Sequence, residues 1–212
     1  MIPGFSLIPP LGSTETITFI ANGTSVAAST TVTISGVSIG VAALDRRVIL
    51  AIHTRQSTVT AVTIGGIAAT IHAAGANPSY FDTTIVSAVV PTGTTATVVI
   101  TKNNASSGTY IGVFRSVGSI DPPVASASSV SLTPDLTSSV TFGPPGYTGV
   151  VAISVLGNNP TTWTGATEVY DVADGGFPFV QFSAAIVQQD VATVTATKST
   201  SNEDAMAGAV WS

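Results

Sequence analysis

The sequence predicts an all-β protein, a two-sheet antiparallel sandwich of jelly-roll-like form. Three observations lead there. Val, Ile and Thr dominate while Leu, Lys and Glu are scarce, and β-branched side chains favour the pleated surface over the helix. Short apolar runs recur between Gly, Pro, Asn and Asp punctuation, which is the spacing of a sandwich or barrel. Charged residues are only 8% of the chain while hydrophobic ones are 44%, a balance that excludes disorder, which needs low hydrophobicity and high net charge.

The elements follow in order. Residues 1–15, rich in Pro and Gly, read as an irregular N-terminal arm, and 16–212 as one sandwich domain. The alternative is a division near residue 120. Thr16 to Ala21 alternates with Ile17 and Phe19 on one face, and Thr30 to Ser35 with Val32 and Ile34. Arg47 to His53 is a nearly continuous apolar run, as expected of a central strand. Val59 to Ile64, Gly65-Gly66 and Ile67 to Ile71 form the strongest local hairpin signal. Thr83 to Val90 and Thr94 to Thr101 read as a pair around Pro91 and Gly93, and Tyr110 to Val117 follows. Residues 118–137, with three prolines, read as a long crossover between sheets. Beyond it come Ser139 to Phe142, Val150 to Val155, the neighbourhood of Val169 and Tyr170, Phe179 to Val187, Val191 to Thr197, and a final strand Ala205 to Trp211.

Composition also limits function. With no cysteine, disulfides and thiolate chemistry are excluded. Six Lys and Arg against eleven Asp and Glu give a net charge of −5, and no basic stripe exists to bind nucleic acid. Charge is uneven: residues 1–115 carry +2 and 116–212 carry −7, which makes a polar contact between copies conceivable. No Lys or Arg precedes Arg46, so a secretion signal is not expected, and Val59 to Ala76 is too interrupted for a membrane span. A surface poor in charge is a solubility liability for a free protein, which an assembled one escapes.

Several segments, in this order, resemble a β-sandwich module found in bacterial surface proteins and in tailed-phage virion proteins. They are Asp45-Arg46-Arg47-Val48-Ile49-Leu50-Ala51-Ile52, then Val62-Thr63-Ile64-Gly65-Gly66, then Pro91-Thr92-Gly93 leading into Ala96 to Ile100. Tyr110 to Ser119 with Asp121-Pro122-Pro123, Gly149-Val150-Val151-Ala152-Ile153 and Ala207 to Trp211 complete the set. The opening Met-Ile-Pro-Gly-Phe is similar to the start of small phage proteins. The resemblance implies a virion structural protein, a head spike, decoration or tail-associated subunit, with no catalytic residues and no cofactor. Its partners would be other virion proteins and copies of itself, without nucleic acid or membrane. It would be made in the host cytoplasm and reside in the virion, as a trimer or higher oligomer.

Chemistry-bearing residues are few. His53 and His72 have no acidic neighbour in sequence to complete a metal site, and no Gly-x-Ser-x-Gly elbow marks a nucleophile. No Walker loop or dinucleotide fingerprint is present. Glu168, Asp171 and Asp174, ahead of Gly175-Gly176, suggest either an oxygen-ligand loop for Ca²⁺ or a solvated turn. Trp163, Tyr170, Phe177 and Phe179 lie near the same carboxylates, and rings beside acceptors are what a sugar-binding face uses. A lectin-like module binding host surface glycan through Trp163, Glu168, Tyr170, Asp171 and Asp174 is therefore the alternative function. The competing reading makes Trp163 a cap on the sandwich core. An enzyme is not expected.

Overall fold

The computed structural model describes residues 16–25, 27–106, 108–118, 120–174 and 179–212; the predicted arm, Gly175-Gly176 and Phe177 lie outside them. Among the described residues fifteen strands form, all paired antiparallel. They are β1 (Thr16–Ser25), β2 (Ser29–Ser38), β3 (Arg47–Arg55), β4 (Val59–Ile64), β5 (Ile67–Ala68), β6 (Thr70–Asn77), β7 (Phe81–Val89), β8 (Thr95–Ser106), β9 (Thr109–Val117), β10 (Ala125–Thr141), β11 (Thr148–Leu156), β12 (Thr161–Thr164), β13 (Ala166–Ala173), β14 (Val180–Val187) and β15 (Thr193–Trp211).

The all-β antiparallel sandwich expected from the composition forms, with three sheets where two were expected. One runs β1-β9-β3-β7-β6, the second β2-β8-β4-β5, and the third β10-β15-β11-β14-β13 with β12 attached to β15. The first two sheets enclose a core that includes Leu50, Ile52, Val86, Val98, Ile100 and Val113. The third sheet bends back on itself. The first half of β15 pairs with β12 and the end of β10, and the second half pairs with β11 and the start of β10. Both halves contribute to one core, with Val194 and Ala196 meeting Val151, Ile153 and Met206. In β15 the burial pattern alternates up to Lys198 and becomes continuous from Asp204. An outer strand shows one face to water; an inner strand is covered on both.

The chain therefore contains two modules, 16–117 and 125–211, with the same pairing order. In the first, β1-β9-β3-β7-β6 lies inside and β2-β8-β4 outside. In the second, β10-β15-β11-β14-β13 lies inside, with the end of β10, the start of β15, and β12 outside. Strand pairing aligns His53 with Ser154, Thr83 with Phe182, and Lys102 with Lys198. The sequence Ala96-Thr97-Val98-Val99-Ile100-Thr101-Lys102 is matched by Ala192-Thr193-Val194-Thr195-Ala196-Thr197-Lys198. At both corners the lysine is buried and donates to the carbonyl four residues on, Lys102 to Ser106 at 2.7 Å and Lys198 to Asn202 at 2.8 Å.

The inner sheets of the two modules pack face to face, and a third core joins them through Ile49, Ala51, Ile85, Phe114, Val150, Ala152, Phe182 and Ala207. Strand β3 is central and buried throughout except at Arg55, as its unbroken apolar run predicts. Three expectations are corrected. Residues 118–137 are not a bare crossover: β10 occupies Ala125 onward, because its small residues alternate between half-buried and exposed, and Pro134 falls where its register is interrupted. Thr83 to Val90 and Thr94 to Thr101 do not pair; β7 belongs to an inner sheet and β8 to an outer one, so Pro91–Gly93 is an arch between sheets. The Gly65-Gly66 turn does close β4 on β5, both glycines having the positive φ of a tight hairpin turn (60° and 81°). Yet the return strand lasts two residues before the chain crosses to β6 and the inner sheet.

Candidate functional site

The polar side chains that come together are at the junction of the two modules. His53 of β3 projects from the middle of one inner sheet toward β11 and β13 of the other. Its Nδ1 is 2.9 Å from Ser154 Oγ and its Nε2 is 2.9 Å from the Tyr170 hydroxyl. Thr83 Oγ1 lies 2.7 Å from Ser154 Oγ. Phe182 stacks on the His53 ring at 4.9 Å, and Tyr110 lies 5.3 Å from Tyr170 between ring centroids. His53, Thr83 and Ser154 are fully buried. Burial pushes His53 down to about 3, so the imidazole is neutral, and pushes Tyr170 well above its ordinary value. A serine, a histidine and a hydroxyl in contact invite comparison with a nucleophilic triad. The set differs in that the third group is not a carboxylate and no solvent reaches the serine, so a substrate has no approach. Its chemistry is that of a satisfied buried network, which fixes the register of one module on the other.

Small residues set the spacing of that junction. A Cβ at Gly75 would stand 2.6 Å from the Met206 carbonyl oxygen, so only glycine lets β6 lie on β15 and β10. A Cβ at Gly112 would run into the Tyr170 ring. Polar contacts finish the edges. Arg55 Nε pairs with Asp174 Oδ2 at 2.6 Å, and Asn77 donates to Glu203 at 2.7 Å. The Arg47 guanidinium lies over the Trp211 ring at 5.7 Å and donates to the Asp121 carbonyl. One ion pair, Arg55 with Asp174, thus joins the first module to the second.

The residues singled out for glycan or ion binding do not share a face. Trp163 is half-buried against the core of the second module and donates its indole N–H to Ser183 Oγ at 2.9 Å. Tyr170 points the other way, into the junction. Glu168 is exposed, its carboxyl shifted up by desolvation and the neighbouring Asp171. Asp171 accepts from the Thr161 backbone N–H at 2.8 Å and from Gln181 at 2.6 Å. Asp174 holds Arg55. Strand alternation and a register shift between Glu168 and Tyr170 separate them. Among the described residues, no three His, Asp or Glu side chains come together as a metal group. His72 lies apart, 2.8 Å from Ser87 Oγ, its pKa lowered to about 4 by burial and the nearby Arg47.

Sequence reasoning missed the His53–Ser154–Tyr170 network because His53 lies 101 and 117 residues from its two partners. Two signals pointed toward it. A histidine at the end of a wholly apolar central strand needs a buried partner, and the repeated Ala-Thr-Val-x-x-Thr-Lys segment marks a duplicated module whose copies need a mutual face. Compared with family models, curated proteins and solved structures, the chain matches none of them.

Proposed function

We propose that the chain is a structural subunit of a tailed-bacteriophage virion that works by assembly, as a head decoration, spike or tail-associated protein. One observation carries this reading: the two outermost sheet surfaces are uncharged. On the first module, Thr31, Thr33 and Thr97 face solvent. On the second, Thr137, Ser139, Thr141, Thr162, Thr164, Thr193 and Thr197 do, with Ser139 bonded to Thr195 at 2.8 Å and Thr141 to Thr193 at 2.9 Å. Lys102 and Lys198, the cations of those strands, turn inward. Hydroxyl and methyl surfaces are cheap to desolvate beside charged ones, and free proteins depend on charge to remain apart. Exposed Val130, Leu132 and Leu136 on the edge strand β10 add apolar surface, the kind of edge that isolated proteins guard. The resemblance in residues 45–212 supports the phage setting.

The test is mass spectrometry of virions purified from a host that makes the chain, with light scattering of the isolated protein. The expected result is a stoichiometric virion component whose interfaces each remove on the order of 1,600 Å² of surface. Its absence from purified particles overturns the proposal.

A further inference from the structure

The two edges of the module junction are related by the repeat, yet they end differently. On one edge, Gly75 lies against the backbone of Met206 and Ser129, and the Asn77–Glu203 hydrogen bond closes the mouth. The strand pairing puts Val172 where Gly75 stands, Asp174 where Asn77 stands, and Gly108 where Glu203 stands. A larger residue on the strand and a missing side chain opposite it hold this second edge open. The result is a cleft of about 230 Å³ lined by Thr24, Ser25, Thr109, Asp174, Val172 and Phe182 among others.

We propose that this cleft binds a single neutral sugar ring, or a polyol of that size. Size comes first. The cleft holds the share of about eight water molecules and is smaller than the ~300 Å³ at which drug-sized sites begin, which suits one ring and not a chain. Charge comes second. Asp174 is the carboxylate in the wall and Arg55 pairs with it at 2.6 Å, so the site has no net charge with which to select an ion. Lining comes third. Asp174 supplies acceptor oxygens, held in place by Arg55 and by the Val180 N–H at 3.3 Å. Thr24 supplies a hydroxyl, and Val172 and Phe182 supply an apolar wall. A sugar presents the complement, hydroxyls at its rim and C–H groups on its face. Finally, the hydroxyl of Tyr110, another lining residue, is buried without a hydrogen-bond partner among the described residues, a condition that buried polar groups seldom keep. The site does not depend on the assembly role, since a subunit could be built into a particle with the cleft blocked.

The experiment is saturation-transfer NMR on the whole chain with a panel of free neutral monosaccharides, and with glucuronic and sialic acids as charged controls. We expect saturable millimolar binding of at least one neutral sugar and weaker binding of the acids. Thr24→Trp fills the mouth from an exposed position on β1 across from Tyr110 without touching the ion pair, and it should abolish the signal at an unchanged melting temperature. If that variant melts early, Thr24→Val removes the β1 hydroxyl instead and should weaken binding several-fold. Absence of binding by the wild type overturns the site. So does binding that survives the blocking variant, or binding unchanged in Thr24→Val where that variant replaces it. Either result leaves the virion test unaffected.

Discussion

The two modules share a strand order but neutralise the same buried lysine by opposite means. At the corner between β8 and β9, Lys102 donates to the Ser106 carbonyl and hydroxyl and to Thr109, all neutral acceptors, and desolvation lowers its pKa. At the bend of β15, Lys198 pairs with Asp204 and Asp135 and also donates to the Asn202 carbonyl. Asp204 is as deeply buried as Lys198, and burial pushes its pKa up by more than Lys198 and Ser138 pull it down. A corner lysine serves both copies as a donor that ties the bend together. Only the second copy added a counter-charge, and in doing so made each ion dependent on the other.

The largest expected effect tests that dependence. Asp204→Asn keeps the shape and the bond to Ser138 but leaves Lys198 with the Asn202 carbonyl and, as counter-charge, the half-exposed Asp135. Removing one member of a buried pair costs about 3–5 kcal/mol. Lys102→Met removes a charge that has no carboxylate partner among the described salt bridges, and it should cost about 1 kcal/mol, the value of an ordinary hydrogen bond. Urea unfolding of both variants gives the comparison. Equal losses would mean that the two corners are energetically alike and that the acidic partner adds nothing.

A second test concerns the junction at which the copies meet. His53 occupies in one module the place that Ser154 occupies in the other, and the two bond to each other. His53→Phe leaves the Tyr170 hydroxyl without that partner while Ser154 retains Thr83, so it should cost about 2 kcal/mol at pH 7. The acid side reverses the sign. The folded-state pKa of His53 is about 3 against 6.5 unfolded, so between these values the unfolded chain binds the extra proton and wild-type stability falls as pH drops. By pH 4 this linkage is on the order of 3 kcal/mol. His72 and Asp82, whose pKa values are about 4 and about 6, titrate in both proteins and cancel in the difference. The stability curves of wild type and variant should therefore cross between pH 7 and pH 4. Parallel curves would mean that His53 is not held neutral by its surroundings.

How much of this was legible in the sequence depends on the range of the signal. Inner strands such as Arg47 to His53 showed themselves by unbroken apolar runs, because burial on both faces leaves no alternation. The Gly65-Gly66 turn was legible because two positive-φ residues are a local demand. Partner choice was not legible at Pro91–Gly93, since a hairpin and an arch between sheets ask the same of the turn and differ only in which distant strand receives β8. The long β10 was hidden by its composition: Ser and Ala alternate there in place of Val and Thr, and Pro134 suggested a loop. The candidate site followed the same rule. Asp174 and Arg55 are 119 residues apart, and nothing local announces their pairing. Trp163 and Tyr170 are close in sequence but face different cores, because β12 pairs with the first half of β15 and β13 with β14, a choice of partner that composition does not decide.

The smallest expected effect sharpens the comparison at one paired position. Strand register puts Trp163 where the first module has Val62, and Ser183 where it has Thr84. In the first module Thr84 bonds to Asp82 at 3.0 Å. In the second the place of Asp82 is taken by Gln181, which turns to Asp171, so the buried Ser183 takes its hydrogen bond from the indole of Trp163. The tryptophan thus replaces a carboxylate as the partner of a core hydroxyl. Trp163→Phe retains most of the ring packing and removes the N–H, and should lower stability by about 1 kcal/mol. Trp163→Phe with Ser183→Ala should recover most of that loss, because no buried hydroxyl then lacks a partner. A double variant no more stable than the single one would show that Trp163 contributes volume alone.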